Sequence, residues 1–248
     1  MSNFTLKEAI FCSVVLLLLA ITAPLAVGNA MNDAKLTACA DKLRQVGAAQ
    51  LSYAEDNKSF LPMNEKNFIK GGGMARAATY SMGMPPMVLI QNGYFKKGAA
   101  DGEKIVDTRE RMFRCPADDV NFVRTPYLGW SNPVQPAISY FYCWFGTQKG
   151  AASYSFPHKT KPDQDENFGL RANVERDDPG RFIYADLIRA ISINMLRKKP
   201  EEAKANHNGM CNILYLGGHV QSKAVPQATE KFVLGGSNRF AHFADDVD

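Results

Sequence analysis

Two histidines and an acid near the C-terminus carry side chains that could bind a metal ion. His207 and His219 lie on either side of a short apolar segment, and Asp186 precedes both of them. If that segment folds back on itself, the three side chains could converge on a zinc ion. Their spacing matches no zinc motif, so we expect His207 to fix a loop by hydrogen bonding and His219 to lie on the face of a strand. The sequence therefore predicts neither a bound metal nor a cofactor.

The cysteines offer thiol chemistry. The chain has five of them, at Cys12, Cys39, Cys115, Cys143 and Cys211. No two have the Cys-x-x-Cys spacing of zinc knuckles and thioredoxin-type sites. Cys12 lies inside an apolar run and is expected to behave as a small hydrophobic residue. In an exported protein the other four could form two disulfides, in any of three pairings that the sequence leaves open.

Signatures of known catalytic sites are absent from the sequence. It has no Gly-x-Ser-x-Gly elbow, Walker loop, His-Glu-x-x-His pair or dinucleotide fingerprint. Cys115 or Cys143 beside His207 would resemble a thiol nucleophile pair, but a structural disulfide is the more common use of exported cysteines. The net charge is only +4, and the basic residues are scattered among acids, which argues against nucleic acid as a partner. The sequence thus predicts a protein that is not an enzyme.

Strands and turns in the second half of the chain must position these residues. Aromatic and β-branched residues predict strands at 137–144, 181–185, 212–216 and 219–222. Gly217 and Gly218 separate the last two and predict a two-residue hairpin turn, because glycine readily adopts the positive φ that such turns require. Upstream, residues 86–95 predict a short helix with Pro86 in its first turn and Gly93 near its end.

The N-terminal segment has a helical pattern. Residues 9–27 are nineteen consecutive uncharged residues, and as a helix they would span roughly 28 Å of the ~30 Å hydrocarbon core of a membrane. A predicted helix over 4–57 has Pro24 and Gly28 as the places for a bend. A cleavable signal ending at Ala30 is the alternative, although the acid Glu8 stands where signal peptides carry positive charge. Beyond the apolar run, one helical stripe contains Met31, Ala34, Ala38, Leu43, Val46, Ala49, Gln50, Tyr53 and Ala54.

The start of this helix resembles the N-terminus of type IV pilins and type II secretion pseudopilins. Their precursors have a short leader and a Phe-Thr-Leu-x-Glu start, and this chain has Met1-Ser2-Asn3 followed by Phe4-Thr5-Leu6-Lys7-Glu8. The resemblance implies cleavage between Asn3 and Phe4 by a prepilin peptidase, with N-methylation of Phe4. It also implies that Glu8 neutralises the terminal amine of a neighbouring subunit, since an acid at the membrane is costly without a partner. The family has glycine where this chain has Asn3.

The C-terminal part is similar to a narrower group, the prepilin-like proteins of planctomycetes and lentisphaerae. That group has a histidine, nine residues and then Asp-Gly. This chain has His207 and then Gly217 followed by Gly218, so Gly217 stands in the place of the acid. Further residues of the motif region are Asp186, Gly209, Asn212 and His219. Other segments similar to the group are 43–47, 53–57, 113–116 and 184–186.

The resemblance implies an α+β fold in which a long N-terminal helix, membrane-spanning in its first half, packs on a small antiparallel β-sheet as in pilins. The stripe on the helix and the C-terminal hairpin agree with that expectation. The expected divisions are a leader at 1–3, a transmembrane and assembly half of the helix at 4–28, an amphipathic half at 29–57, and a globular head at 58–248.

The function implied by the resemblance is that of a structural subunit of a type IV pilus-like or pseudopilus filament, with Phe4, Glu8 and Pro24 in its assembly segment. The implied partners are copies of the chain, a prepilin peptidase, the inner-membrane assembly machinery and membrane lipid. Such a protein would start in the bacterial inner membrane and end at the cell surface, in an extracellular filament or in the periplasm. The alternative is a non-polymerising, membrane-tethered envelope protein with a binding or secretion-associated role.

Overall fold

The computed structural model describes residues 6–62, 76–79, 85–95, 105–124, 137–143, 172–196, 199–226 and 243–244. The helices in this part of the chain are α1 (Leu6–Asp56), α2 (Pro85–Gln91), α3 (Ile105–Phe113) and α4 (Arg189–Leu196). The strands are β1 (Arg76–Thr79), β2 (Ala137–Cys143), β3 (Phe182–Asp186), β4 (Met210–Tyr215) and β5 (Val220–Ala224). The predicted α+β class, with a long N-terminal helix and a small antiparallel sheet, is confirmed.

The strands form one antiparallel sheet in the order β1-β2-β3-β4-β5. Tyr142 pairs with Tyr184, and Tyr184 with Leu214, so bulky side chains stack across three neighbouring strands. All residues of β3 are buried, which means that both faces of the sheet are covered there. The four predicted strands are confirmed with small shifts of their ends. Strand β1 was not predicted, because Arg-Ala-Ala-Thr lacks the aromatic and alternating pattern of a strand.

The turn between β4 and β5 differs from the predicted two-residue hairpin. The Tyr215 amide donates to the His219 carbonyl at 3.0 Å, so three residues lie between the paired ones. The Gly218 amide donates back to the Tyr215 carbonyl at 2.9 Å. Of the two glycines only Gly218 has a positive φ, at 85°. A β-turn followed by one left-handed glycine is the usual three-residue hairpin, whereas a two-residue primed turn requires a positive φ at its first residue, which would be Gly217.

Helix α2 confirms the prediction for residues 86–95, with an earlier end. Proline is tolerated in its first turn, where amides have no partner within the helix. Gly93 has a φ of 75°. Its amide donates to Ile90, and the amide of Tyr94 donates to Leu89. This pair of hydrogen bonds is the Schellman motif, which ends helices at a left-handed glycine.

Helix α1 is continuous for 51 residues and runs through Pro24 and Gly28 without a break. Its C-terminal half packs on β4 and β5. The buried residues there recur every three or four positions, at Cys39, Leu43, Val46, Gln50 and Tyr53. The predicted stripe is therefore confirmed from Leu43 onward. It is wrong at Met31 and Ala34, which are exposed because the contacts of α1 with the sheet begin only near Leu36.

The N-terminal half of α1 has exposed apolar side chains. In the part of this half whose side chains are described, the exposed large apolar residues are Phe11, Val14, Val15, Leu16, Leu17, Val27 and Met31. Within the described residues, no helix meets both the length and the apolar composition that a membrane crossing requires.

Candidate functional site

A group of buried polar side chains lies where α1, the sheet and two loops meet. We call it the polar junction, and it comprises Asp186, Asn206, His207 and Asn212. Asp186 is the last residue of β3 and is fully buried. Its carboxylate accepts a hydrogen bond from the backbone amide of Asn212 at 2.9 Å and a longer one from the side-chain amide of Asn206 at 3.4 Å. Two separate segments therefore hold this carboxylate in place.

His207 completes the junction from the loop that precedes β4. Its Nε2 atom lies 3.4 Å from the Asp186 carboxylate and 3.3 Å from the Cys115 sulfur. Of the three side chains that could converge in the sequence, His207 and Asp186 lie together, although we expected His207 only to fix a loop by hydrogen bonding. His219 does not join them: it is exposed, it precedes β5, and its ring stacks on Tyr215 with centroids 4.5 Å apart. It closes the hairpin turn one residue before β5 begins at Val220.

A disulfide closes the junction beside His207. Cys39 of α1 is bonded to Cys115, 76 residues later, with their Cα atoms 5.2 Å apart. This is one of the pairings that the sequence left open. Cys115 is therefore used in a structural disulfide, the role that the sequence favoured over a nucleophile pair with His207, and in this form it has no free thiol.

The expectation of a second disulfide fails at Cys211, which has a free and fully buried thiol. Cys211 lies on β4 and Cys143 on β2, and β3 runs between them. Two strand spacings separate the backbones by roughly 9.6 Å, beyond the reach of a disulfide. The side chain of Cys143 lies outside the described part of the structure.

Hydrogen bonds fix α1 against this junction. The side-chain amide of Asn212 donates to the backbone carbonyl of Leu36 at 3.0 Å. Lys42 donates from Nζ to the carbonyl of Arg114, next to Cys115, at 2.6 Å. Burial, followed by the repulsion of Arg114, lowers the pKa of Lys42. The disulfide and these two hydrogen bonds lie within two turns of α1. They therefore fix both the rotation of α1 about its axis and its position along that axis relative to the sheet.

Burial shifts the pKa values of Asp186 and His207 in the polar junction. It raises the pKa of Asp186 from 3.8 to about 7, against the opposing effect of the hydrogen bonds from Asn212 and Asn206. Burial also lowers the pKa of His207 from 6.5 to about 4, with a smaller contribution from the positive charge of Lys35. At neutral pH the imidazole is therefore uncharged and keeps a nitrogen lone pair, while the carboxyl is near its midpoint.

A second polar network supports the loop around His207 and was missed by the sequence analysis. The Asp118 carboxylate accepts hydrogen bonds from the amides of Val120 and Asn121. Asn121 accepts one from Ser192 at 2.6 Å and donates one to the carbonyl of Lys204 at 3.0 Å. Polar residues in loops are usually exposed, so nothing in their pattern predicts that they are buried here.

The remaining motif residues lie around β4. Gly209 has a φ of 71° and connects His207 to the strand. Gly217 is exposed, and its amide donates to the carbonyl of Pro179 at 2.9 Å. Neither glycine brings a side chain to the junction.

Of the residues predicted for processing and assembly, Asn3 and Phe4 lie outside the described residues. Glu8 and Pro24 belong to α1, but their side chains are not among those described.

A pocket of about 660 Å³ opens next to His207, between α1 and the loops that support the junction. Charged and polar residues on its wall include Asp33, Lys35, Asp119, Arg189, His207 and Asn208. One edge of the imidazole therefore faces a solvent-accessible space, whereas Asp186 and the disulfide lie behind it.

Comparison of the chain with protein-family profiles, with characterised proteins and with solved structures gave no match.

Proposed function

We propose that this protein is a structural subunit of a type IV pilus-like or pseudopilus filament, assembled through the N-terminal half of α1. The observation that carries the proposal is the contrast between the two halves of this helix. Residues 39–54 bury a regular stripe against the head, whereas apolar side chains such as Phe11 and Leu16 are 70% and 66% exposed. Such a run of apolar surface needs a cover, and similar helices of other copies would provide one.

The dimensions of α1 suit such packing. The contacts with the sheet begin near Leu36, so the helix continues for about 30 residues beyond the head. At 1.5 Å per residue this is roughly 45 Å. That length would cross the ~30 Å apolar core of a membrane before assembly and would later offer several turns to neighbouring helices.

Processing and charge pairing would follow the pilin pattern. Cleavage after Asn3 would create a free amine at Phe4, and the Glu8 of a neighbouring subunit would neutralise it within the apolar bundle. Before assembly the chain would reside in the bacterial inner membrane, with lipid around the apolar N-terminal half of α1. A prepilin peptidase and inner-membrane assembly machinery would act on it there, and the product would be a surface, extracellular or periplasmic filament.

A second candidate is a membrane-tethered envelope protein that never polymerises. Asn3 in place of the family's glycine favours it, because an uncleaved leader would leave no amine at Phe4 for Glu8 to neutralise. Electron microscopy of envelope fractions from producing cells separates the two. Filaments that bind an antibody to the head support the first, and label confined to membrane vesicles without filaments supports the tether.

A further inference from the structure

We propose that Cys39, Cys115, Asp186 and His207 form a zinc-binding site when the Cys39–Cys115 disulfide is reduced. The disulfide and the zinc ion would then be two alternative cross-links at the same junction between α1 and the sheet. The site joins the C-terminal half of α1 to the head, and metal binding there does not depend on filament assembly.

The positions of the ligand atoms carry the proposal. One sulfur from each cysteine, an imidazole nitrogen and a carboxylate oxygen all lie within 4.8 Å of one another, and all four residues are buried. In tetrahedral zinc sites with bonds of 2.0–2.3 Å, neighbouring ligand atoms are about 3.3–3.8 Å apart. The imidazole nitrogen already lies 3.3 Å from the Cys115 sulfur and 3.4 Å from the Asp186 oxygen. After reduction the two sulfurs, which are now bonded, would have to separate to the same spacing.

The ligand set has the chemistry of a structural zinc site. Two thiolates and one imidazole are the ligands that zinc prefers, and a carboxylate is an accepted fourth ligand. The hydrogen bonds from Asn212 and Asn206 orient the Asp186 carboxylate in the manner of the outer-shell partners that metal ligands usually have. The four ligands come from α1, β3 and two loops, so a metal here would connect the same elements as the disulfide.

The pocket beside His207 provides an entry path. His207 lines it, and the charged groups on its wall are of both signs, with Asp33 and Asp119 beside Lys35, Arg189 and Lys204, so the pocket gives a cation access to the imidazole without a net attraction. The bound site would hold two thiolates and one carboxylate against the two positive charges of zinc, which leaves one negative charge. Lys35, on the same wall, is a positive group available to balance it.

The exchange is chemically balanced. A dithiol reductant supplies two electrons and two protons to the disulfide and is itself oxidised to a cyclic disulfide. Zinc then replaces the protons of the two thiols, and these protons pass to water. Oxidation of the two thiolates to the disulfide, with a disulfide as the electron acceptor, releases the metal again.

The test uses the full chain in detergent, reduced with a trialkylphosphine that is then removed. Cobalt(II) is the probe, because tetrahedral cobalt with thiolate ligands absorbs strongly in the visible range. We expect one cobalt per reduced chain, displacement by one equivalent of zinc, and no binding to the oxidised chain. Mass spectrometry after alkylation should show that zinc protects Cys39 and Cys115 from modification.

Single substitutions identify the ligands. Cys115→Ser should abolish the cobalt spectrum, and Asp186→Asn or His207→Gln should weaken binding by roughly tenfold or more. Cys12→Ser is the control, since it removes an exposed thiol outside the ligand set, and it should bind as the parent does. Circular dichroism of each reduced variant checks that it is folded.

The proposal is overturned if the folded, reduced chain binds no cobalt. It is also overturned if binding is unchanged in both Asp186→Asn and His207→Gln, or if zinc leaves the two cysteines as reactive as before. In the event that a variant does not fold, the alkylation result on the parent chain decides the question.

Discussion

The side-chain amide of Asn212, on β4, donates a hydrogen bond to the backbone carbonyl of Leu36, 176 residues earlier on α1. The Asn212 backbone amide binds the Asp186 carboxylate, and its side-chain oxygen accepts a hydrogen bond from Ser222. One fully buried residue thus connects the helix to three strands of the sheet. The head and the projecting half of α1 are coupled at this point, because α1 continues from Leu36 without a break toward its N-terminus.

Replacing the fully buried Asn212 with alanine should destabilise the protein by about 1–3 kcal/mol, because its hydrogen bonds to the Leu36 carbonyl and from the Ser222 hydroxyl are lost, each worth about 0.5–1.5 kcal/mol. Urea denaturation of the full chain in detergent measures this. Hydrogen exchange should quicken in α1 near Leu36 more than in α3. Asn208→Ala, an exposed neighbour of His207, is the control and should change stability by less than about 0.5 kcal/mol. Equal losses in the two variants would contradict the role given to Asn212.

Gly218→Ala should be destabilising for two separate reasons. The residue has a φ of 85°, which costs an alanine roughly 1–2 kcal/mol. A Cβ atom there would also lie 2.8 Å from the side chain of Leu51 on α1. Gly209→Ala has a φ of 71° but no atom within 4 Å of its new Cβ, so it isolates the backbone cost. We expect Gly218→Ala to lower the unfolding free energy more than Gly209→Ala, with the excess reduced in a Leu51→Ala background.

The stability of the oxidised protein should depend little on pH between about 4 and 6.5, because two terms oppose each other. The native pKa of Asp186 is raised, so its contribution is complete below 3.8 and is lost as the pH rises through about 7. The native pKa of His207 is lowered, so its contribution is present above 6.5 and is lost as the pH falls through about 4. Denaturant titrations at several pH values measure the sum.

Replacing one of the two residues should reveal the contribution of the other to the pH dependence of stability. In His207→Gln only the Asp186 term remains, and stability should fall as the pH rises, by roughly 1.4 kcal/mol per pH unit. In Asp186→Asn only the His207 term remains, and stability should fall as the pH is lowered from 6.5, with a similar slope. Slopes of the same sign in both variants would show that the two groups do not titrate as described.

The native N-terminus distinguishes processing from permanent retention. Mass spectrometry of protein taken from producing cells should find a chain that begins with N-methylated Phe4. An intact Met1 would favour the tethered alternative, and a start at Met31 would mean that the apolar segment is a cleaved signal. Replacing Asn3 with the family's glycine provides the comparison and should give cleavage that is at least as complete.

The sequence predicted those parts of the fold that follow from local patterns. The stripe at Leu43, Val46 and Tyr53 is set by helical period, and the end of α2 by Gly93, so both could be placed without long-range information. The hairpin between β4 and β5 was found, but its turn was assigned one residue too short. Two adjacent glycines fit either turn, and the choice is made by packing of Gly218 against Leu51 and by the bond from Gly217 to Pro179.

The site was predictable only in part. Residue types raised the possibility that His207 and Asp186 lie together, but only in a set with His219 and against the preferred expectation that His207 fixes a loop. The cysteine beside them could not be predicted, because the pairing of Cys39 with Cys115 depends on where α1 crosses the sheet, which no local pattern specifies. His219 was expected on the face of a strand, but it lies one residue before β5 and its ring stacks on Tyr215.

The most direct test of assembly through the N-terminal half of α1 uses Cys12, an exposed free thiol on that half. Envelope fractions are treated with a short bis-maleimide, and the products are separated under denaturing conditions. The account predicts cross-linked dimers of the chain that disappear in Cys12→Ser. Failure to form any Cys12-dependent product between copies, in cells where the protein is abundant and Cys12 reacts with a single maleimide, would contradict it.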